Sequence, residues 1–250
     1  MSKGGRAKSA RDKIREQQAA DRVREQRKRV VTYVAAGAVA LAAVGAGWWY
    51  TASRSQSEVA GDSLAPTTVQ ADGTVVMAND GVNAPVLDVY EDFQCPACKE
   101  LERVSGPTFK NLAAEGLAKV VFHPLTIFSQ EPTKSNSVRA AAAARCVADG
   151  KQWVAFHDIL YRNQPSETAE GFTTDQLVAW GKEAGVTTPG FAACVTSQKH
   201  AQAHLDQSKQ VMADQQLRGT PTIKLNGEVI DNSVAAAPRE LRDTVTKAAK

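Results

Sequence analysis

Apolar and polar positions change period several times along this chain, and each change marks an element. Residues 30–50 (VVTYVAAGAVALAAVGAGWWY) form an uncharged run, followed by a small, polar stretch at 51–66 (TASRSQSEVAGDSLAP) that suits a flexible tether. TTVQADGTVVMA then alternates around Asp72-Gly73, a hairpin signal, and APVLDVYEDF supplies a β-prone run over Val86–Phe93. From Pro96 to about Glu115 the apolar residues Leu101, Val104, Phe109 and Leu112 fall at helical spacing, and Ala118–Leu125 reads as a second central strand.

The middle, about 133–217, is helical in pattern. Asn136 or Ser137 is the expected cap of a helix through Ala148 that Gly150 ends. Trp153, Phe156, His157 and Leu160 mark the next, and Thr174 or Asp175 caps one through Lys182. Pro189 starts a helix holding Cys194, and a Gln-rich helix runs from His200 to Leu217. After Gly219 the period returns to two. TPTIKL and GEVI flank the turn pair Asn226-Gly227, and Pro238 opens a final amphipathic helix to Lys250. The expected architecture is a small mixed α/β sheet interrupted by a helical insertion.

Charge changes the reading of the N-terminus. Residues 1–29 hold eleven Lys/Arg and four Asp/Glu, about +7, while the rest of the chain holds nineteen and twenty-three, about −4. The basic tail abuts the uncharged run, so the charge points to a membrane and not to nucleic acid. As a helix, the run would be about 31 Å long, enough for a hydrocarbon core. Trp48, Trp49 and Tyr50 sit where aromatic rings favour an interface, and Arg27, Lys28 and Arg29 flank the other end. The expectation is a single-pass anchor at 30–50 with residues 1–29 cytoplasmic, a linker at 51–66 and a domain at 67–250 outside. A cleaved signal peptide and a buried core helix are the alternatives.

The four cysteines, Cys95, Cys98, Cys146 and Cys194, all follow the anchor. An even count on an oxidising side suits disulfide chemistry, with three pairings open; Cys95 and Cys98 are close enough to pair locally, which leaves Cys146 with Cys194. A C-x-x-C can ligate metal, staple or exchange. This one follows a strand and opens a helix, which places Cys95 beside unpaired N–H groups and the positive end of the helix dipole. Both favour a thiolate. Pro96 suits the first helical position, where no donor is needed. Cys95 is then the exposed sulfur that meets substrate, and Cys98, more shielded, closes the internal disulfide. Pro221, in Gly219-Thr220-Pro221-Thr222, reads equally as a plain strand-entry proline or as a cis proline facing the thiols, with the Thr220 backbone free to pair with an extended peptide.

YEDFQCPACK, followed about 120 residues later by GTPTIKLNG, resembles the DsbA-like branch of the thioredoxin superfamily, in its membrane-anchored Gram-positive, actinobacterial form. The resemblance covers about residues 80–250. It implies a thioredoxin fold with an inserted helical subdomain, redox roles for Cys95 and Cys98, a cis bond at Pro221, and no cofactor or metal. The implied function is an oxidase for exported proteins with cysteines, recycled by a DsbB-like or vitamin K epoxide reductase-like membrane quinone reductase. A second disulfide between Cys146 and Cys194, as in some relatives, would be a structural staple, with a redox relay or free buried thiols as alternatives.

Two positions depart from the family. The acidic residue many relatives carry six places before the first cysteine is Val89 here; Asp88 points to the opposite face, and Glu91 shares the Val89 face as a substitute for proton transfer. Glu91 and Asp92 read otherwise as solvated strand-end charges. Ala97 stands where strongly oxidising relatives have histidine, which implies a milder oxidant. Elsewhere, His157 reads as a satisfied core histidine, His123 as approaching the active face, and His200 and His204 as surface residues. Phe93 and Tyr90 support the core. A reductase or isomerase on the same fold and a membrane-tethered zinc module are the competing functions.

Overall fold

The computed structural model describes residues 64–249. The tail, the anchor and nearly all of the linker lie outside them, and among the described residues no helix is long and apolar enough to cross a membrane. Six strands build one sheet: β1 (Thr67–Val69), β2 (Val75–Met77), β3 (Val86–Glu91), β4 (Lys119–Pro124), β5 (Thr222–Leu225) and β6 (Glu228–Ile230), in the order β1-β2-β4-β3-β5-β6. The β1–β2 hairpin forms as its alternation predicts. Gly73 takes φ +89° in its turn, and the Asp72 carboxylate accepts from the Thr74 N–H at 2.9 Å. β3 and β4 are parallel, joined by helix α1 (Pro96–Ala114), and the other pairings are antiparallel.

Val89 occupies the middle of the sheet, opposite Phe122 of β4 and Ile223 of β5, and all three are buried. Strand alternation puts Leu87, Val89 and Glu91 on one face and Asp88 and Tyr90 on the other. Phe122 packs on Trp153 with ring centroids 5.8 Å apart, so the helical block meets the sheet through the apolar stripe that the sequence displays.

The helical block comprises α2 (Thr133–Ala144), α3 (Gly150–Arg162), α4 (Thr174–Glu183), α5 (Phe191–Thr196) and α6 (Ala201–Asp214); α7 (Asn232–Ala235) and α8 (Pro238–Ala248) follow β6. Its boundaries correct several expectations. α2 begins behind the cis Glu131–Pro132 bond, before Asn136 and Ser137. Those two residues are buried in tertiary bonds instead of capping: Asn136 donates to the Ala169 carbonyl and accepts from the Gly171 N–H, and the Ser137 hydroxyl reaches Thr126. Gly150 does not end a helix. Asp149 caps α3 by accepting from the Gln152 N–H at 2.9 Å, and Gly150 is its first residue. Thr173, in a capping box with Gln176, caps α4 one residue ahead of the expected position.

His204 is buried at 2% exposure, not on the surface, with its Nε2 3.0 Å from the Thr126 hydroxyl; burial first, then the Arg145 charge, lowers its pKa to about 3. Cys146 and Cys194 are joined by a disulfide that closes a separation of 48 residues. In the chain-entropy model a loop of that size contributes about 4 kcal/mol.

Gly150 packs so tightly on β1 that a Cβ there would lie 2.0 Å from the Thr67 carbonyl oxygen. Gly150→Ala is therefore expected to destabilise by ~1–3 kcal/mol through overpacking, despite alanine's better helix propensity. Chemical denaturation of the variant checks this.

Candidate active site

β3 ends at Glu91, and Asp92, Phe93 and Gln94 turn the chain into α1. The turn is held from within: one Asp92 oxygen accepts from the Gln94 N–H at 2.8 Å, the other from the Ile127 N–H at 2.9 Å, and the Cys95 N–H donates to the Asp92 carbonyl at 2.9 Å. Cys95 is the N-cap residue of α1, in extended conformation, with Pro96 in the first turn as expected. The turn is also clamped from outside, where Gln164, just beyond α3, donates through Nε2 to the carbonyls of Phe93 at 2.8 Å and Cys95 at 2.9 Å. Nothing in the sequence marked Gln164, because its partners are backbone atoms 69 and 71 residues away.

The antiparallel β3–β5 register pairs Tyr90 with Thr222, so the residues just before β5 lie beside those just after β3. This brings Thr220 to Cys95, with Cys95 Sγ 3.3 Å from the Thr220 carbonyl oxygen. The Thr220–Pro221 bond is cis, as the family resemblance implies. Both cysteines of the pair are free thiols and both are buried, Cys95 at 5% and Cys98 at 2% exposure; the expected order holds, but Cys95 is far more covered than an exposed attacking sulfur.

The two thiols differ in acidity. Cys95 is lowered to about 6, first by the hydrogen bond from Cys98, against burial, and further by the backbone N–H groups of Cys98 and Ala97. Donors at the helix start thus contribute as the sequence suggests, while the partner thiol contributes most. Cys98 is raised well above its ordinary value by burial and by its bond to Cys95.

The strand-end carboxylates are not solvated. Glu91 is 3% exposed and Asp92 fully buried. Glu91 accepts from His157 Nε2 at 2.9 Å and from the Tyr161 hydroxyl at 3.1 Å. His157 is the core histidine expected, but a charged one. Burial alone would lower it, and Glu91 with Asp158 overcomes this and raises it to about 10. Asp158 in turn binds the buried Lys110 at 2.7 Å, and Lys110 reaches Glu102 at 3.0 Å. Asp92 is raised to about 7 by burial, against the N–H groups of Ile127 and Gln94, with the Cys95 charge adding to the rise.

His123 turns away from the thiols. It bonds Asp88 at 2.8 Å and stacks on Tyr90 at 4.4 Å, on the sheet face opposite Glu91. Phe93 is fully buried against His157 and Tyr161. The zinc reading needs Cys146 and Cys194 beside Cys95; instead they bind each other, and the side-chain groups close enough to share an ion among the described residues are Cys146–Cys194–His200 and Glu102–His157–Asp158.

Residues 79–245 match the family model described as Thioredoxin. The solved structure of oxidised DsbA from Mycobacterium tuberculosis is 27% identical, with a TM-score of 0.58, covering 74% of this chain and 92% of that one. The MdbA thiol-disulfide oxidoreductase of Actinomyces oris is 25% identical at TM-score 0.58, covering 72% and 90%. A curated Rickettsia typhi protein, whose name gives it provisionally as a protein-disulfide oxidoreductase, is 24% identical over 176 residues, and the match spans 68% of this chain and 62% of that protein. The chain therefore belongs to the thioredoxin family, and within it is similar to the DsbA-like thiol–disulfide oxidoreductases.

Proposed function

We propose that this chain is an extracytoplasmic protein-disulfide oxidoreductase that forms disulfides in exported proteins through Cys95 and Cys98. The observation that carries the reading is the unequal pair of thiols beside the cis proline: Cys95 lowered to about 6, Cys98 raised, and the Thr220 carbonyl 3.3 Å from Cys95. In the oxidised enzyme, a substrate thiolate attacks Cys95 Sγ, the Cys95–Cys98 bond breaks, and Cys98 departs and takes up a proton. A second substrate thiolate then attacks the substrate sulfur of the mixed disulfide and expels Cys95 as a thiolate. The substrate loses two electrons and two protons; both electrons pass to the Cys95–Cys98 pair, one proton stays on Cys98, and the other goes to solvent while Cys95 remains a thiolate. A stabilised Cys95 thiolate favours that dithiol form and hence the oxidising direction.

The Thr220 hydroxyl is buried without a partner, so it is a donor available to the Cys95 thiolate once the thiol proton, which faces the Thr220 carbonyl, is gone. The Thr220 backbone before Pro221 is the proposed strand-pairing site for an extended substrate. A membrane quinone reductase of DsbB-like or vitamin K epoxide reductase-like type would reoxidise Cys95–Cys98. Residues 30–50 would hold the enzyme on the outer face of the membrane, with 1–29 cytoplasmic and 51–66 as tether. The support for this placement is the charge asymmetry and apolar length of the sequence.

Proton transfer is assigned to the buried acids behind the pair. Glu91 is tied to His157 and Tyr161 and reaches the thiols through Tyr161, whose hydroxyl feels both the Glu91 and the Cys98 charge. Asp92 couples directly to Cys95 and titrates near neutrality, which suits it to exchange the proton itself.

Alkylation of the reduced protein against pH tests the assignment: Cys95 should react with a midpoint near 6, and Cys98→Ser should accumulate mixed disulfides while Cys95→Ser loses exchange. An ordinary thiol midpoint, or turnover in Cys95→Ser, removes it. The Glu91–His157 pair makes a separate prediction. His157→Gln leaves a buried carboxylate without its cation and should cost ~3–5 kcal/mol, and adding Glu91→Gln should recover much of the loss in a double-mutant cycle. Because His157 is raised from 6.5 to about 10, the stability it lends is complete below pH 6.5 and is lost as the pH rises through about 10. Asp92 has its window lower. Its rise from 3.8 to about 7 makes the protonated carboxyl the favoured folded form, so stability is complete below 3.8 and falls by up to ~4 kcal/mol as the pH passes about 7. Asp92→Asn should flatten that part of the stability profile of the reduced protein and lower the Cys95 midpoint.

A further inference from the structure

The Cys146–Cys194 disulfide lies in the wall of a cavity of about 540 Å³, away from the β3–α1 turn, between the ends of α2 and α5. Its two sulfurs are not equivalent: Cys146 is 6% exposed, while Cys194 is only partly buried. A ring nitrogen of His200 and the sulfurs lie within 4.8 Å of one another. Arg145 and Lys199 line the same cavity, and no acidic side chain is among its described lining residues. The Arg145 guanidinium is held by the carbonyls of Ala71 and Asp72 and by Gln207, not by a carboxylate. The Asp72 carboxylate accepts from the Thr74 N–H and hydroxyl and acts on Arg145 only through its charge, so Lys199 is the cation of the cavity with no carboxylate beside it among the described residues. A staple needs only the sulfur–sulfur bond. A basic cavity opening onto the accessible sulfur, with an imidazole at its side, is more than that role uses.

We propose that Cys146–Cys194 is a second exchangeable disulfide, and that its cavity takes a small thiol carrying carboxylate groups. The carboxylates pair with Arg145 and Lys199, which sets the thiol over Cys194. His200 takes the thiol proton as sulfur attacks Cys194 Sγ. The Cys146–Cys194 bond breaks, a mixed disulfide forms on Cys194, and Cys146 leaves and receives the proton from His200. A second molecule of the same thiol attacks the bound sulfur, releases the symmetrical small disulfide, and leaves Cys194 reduced. Two electrons pass from two small thiols to the protein disulfide, and both protons end on sulfur, the first on Cys146 by way of His200 and the second on Cys194. His200 is suited to the accepting role because a ring nitrogen lies within 4.8 Å of the sulfurs, and burial, Arg145 and Lys199 lower its pKa, which favours the neutral ring that accepts a proton.

The test uses the full chain carrying Cys95→Ser and Cys98→Ser, so that the first pair contributes nothing and its own assignment is not at stake. Glutathione, an anionic thiol, and cysteamine, a cationic one, are added at equal concentration under native conditions, followed by alkylation and mass analysis. The expected result is a glutathione adduct on Cys194 that forms in proportion to thiol concentration. It should form about tenfold faster than the cysteamine adduct, as opposite charge near a basic cavity gives. Lys199→Glu should erase that preference, and His200→Asn should slow both thiols about tenfold or more. Circular dichroism of each variant establishes that it is folded. The proposal is overturned if the disulfide stays intact, if both thiols act at the same rate, or if reduction does not depend on thiol concentration, since the last means that the disulfide opens only when the protein does.

Discussion

A sulfur at position 95 lies 3.3 Å from a carbonyl at position 220, and most of the fold can be understood as the means of keeping them there. Two strands that meet only through their antiparallel register carry the two segments. β3 ends just before the turn that presents Cys95, and β5 starts just after Pro221, so pairing Tyr90 with Thr222 fixes the approach. The parallel β3–β4 pair, closed by α1, makes β3 a central strand, and its buried Val89 locks the register from both sides through Phe122 and Ile223. A slip of one residue would turn Val89 and Glu91 to the other face and lose the contact at once.

The chemistry depends on how unequal the two thiols are made. Cys95 collects the donors, namely the Cys98 thiol, two backbone N–H groups and the Thr220 hydroxyl, while Cys98 collects burial. Behind them, Glu91 and Asp92 are both buried but differ in what neutralises them. Glu91 has a cationic histidine and a tyrosine hydroxyl; Asp92 has two backbone N–H groups and the Ser137 hydroxyl but no cation, and burial raises it to about 7. Adjacent residues of one strand end therefore do separate jobs. The Glu91–His157 pair ties the sheet to α3, while Asp92 holds the turn at its protonation threshold.

The sequence made the strands, the α1 start, the hairpin turns and the thiol pair legible, because each is written locally as period, proline or Asn-Gly chemistry. The cis bond at Pro221 came through family resemblance, since a proline entering a strand has the same local signature in either isomer. What stayed hidden was everything decided across long separations. Asp92 and Glu91 look solvated until Ile127, His157 and Tyr161 cover them. His204 looks exposed on a Gln-rich helix until Thr126 and Ser208 reach it. Gly150 reads as a stop until the β1 carbonyl shows why no side chain fits there. Asn136 and Ser137 have the chemistry of caps but use it on tertiary partners.

The most direct measurement is the equilibrium reduction potential of the Cys95–Cys98 pair, with Cys146 and Cys194 unaltered. A thiolate held by the α1 start and by its own partner thiol stabilises the reduced form, which predicts a potential above about −200 mV, on the oxidising side of the glutaredoxin range. A value at or below about −270 mV, the thioredoxin level, would contradict the account.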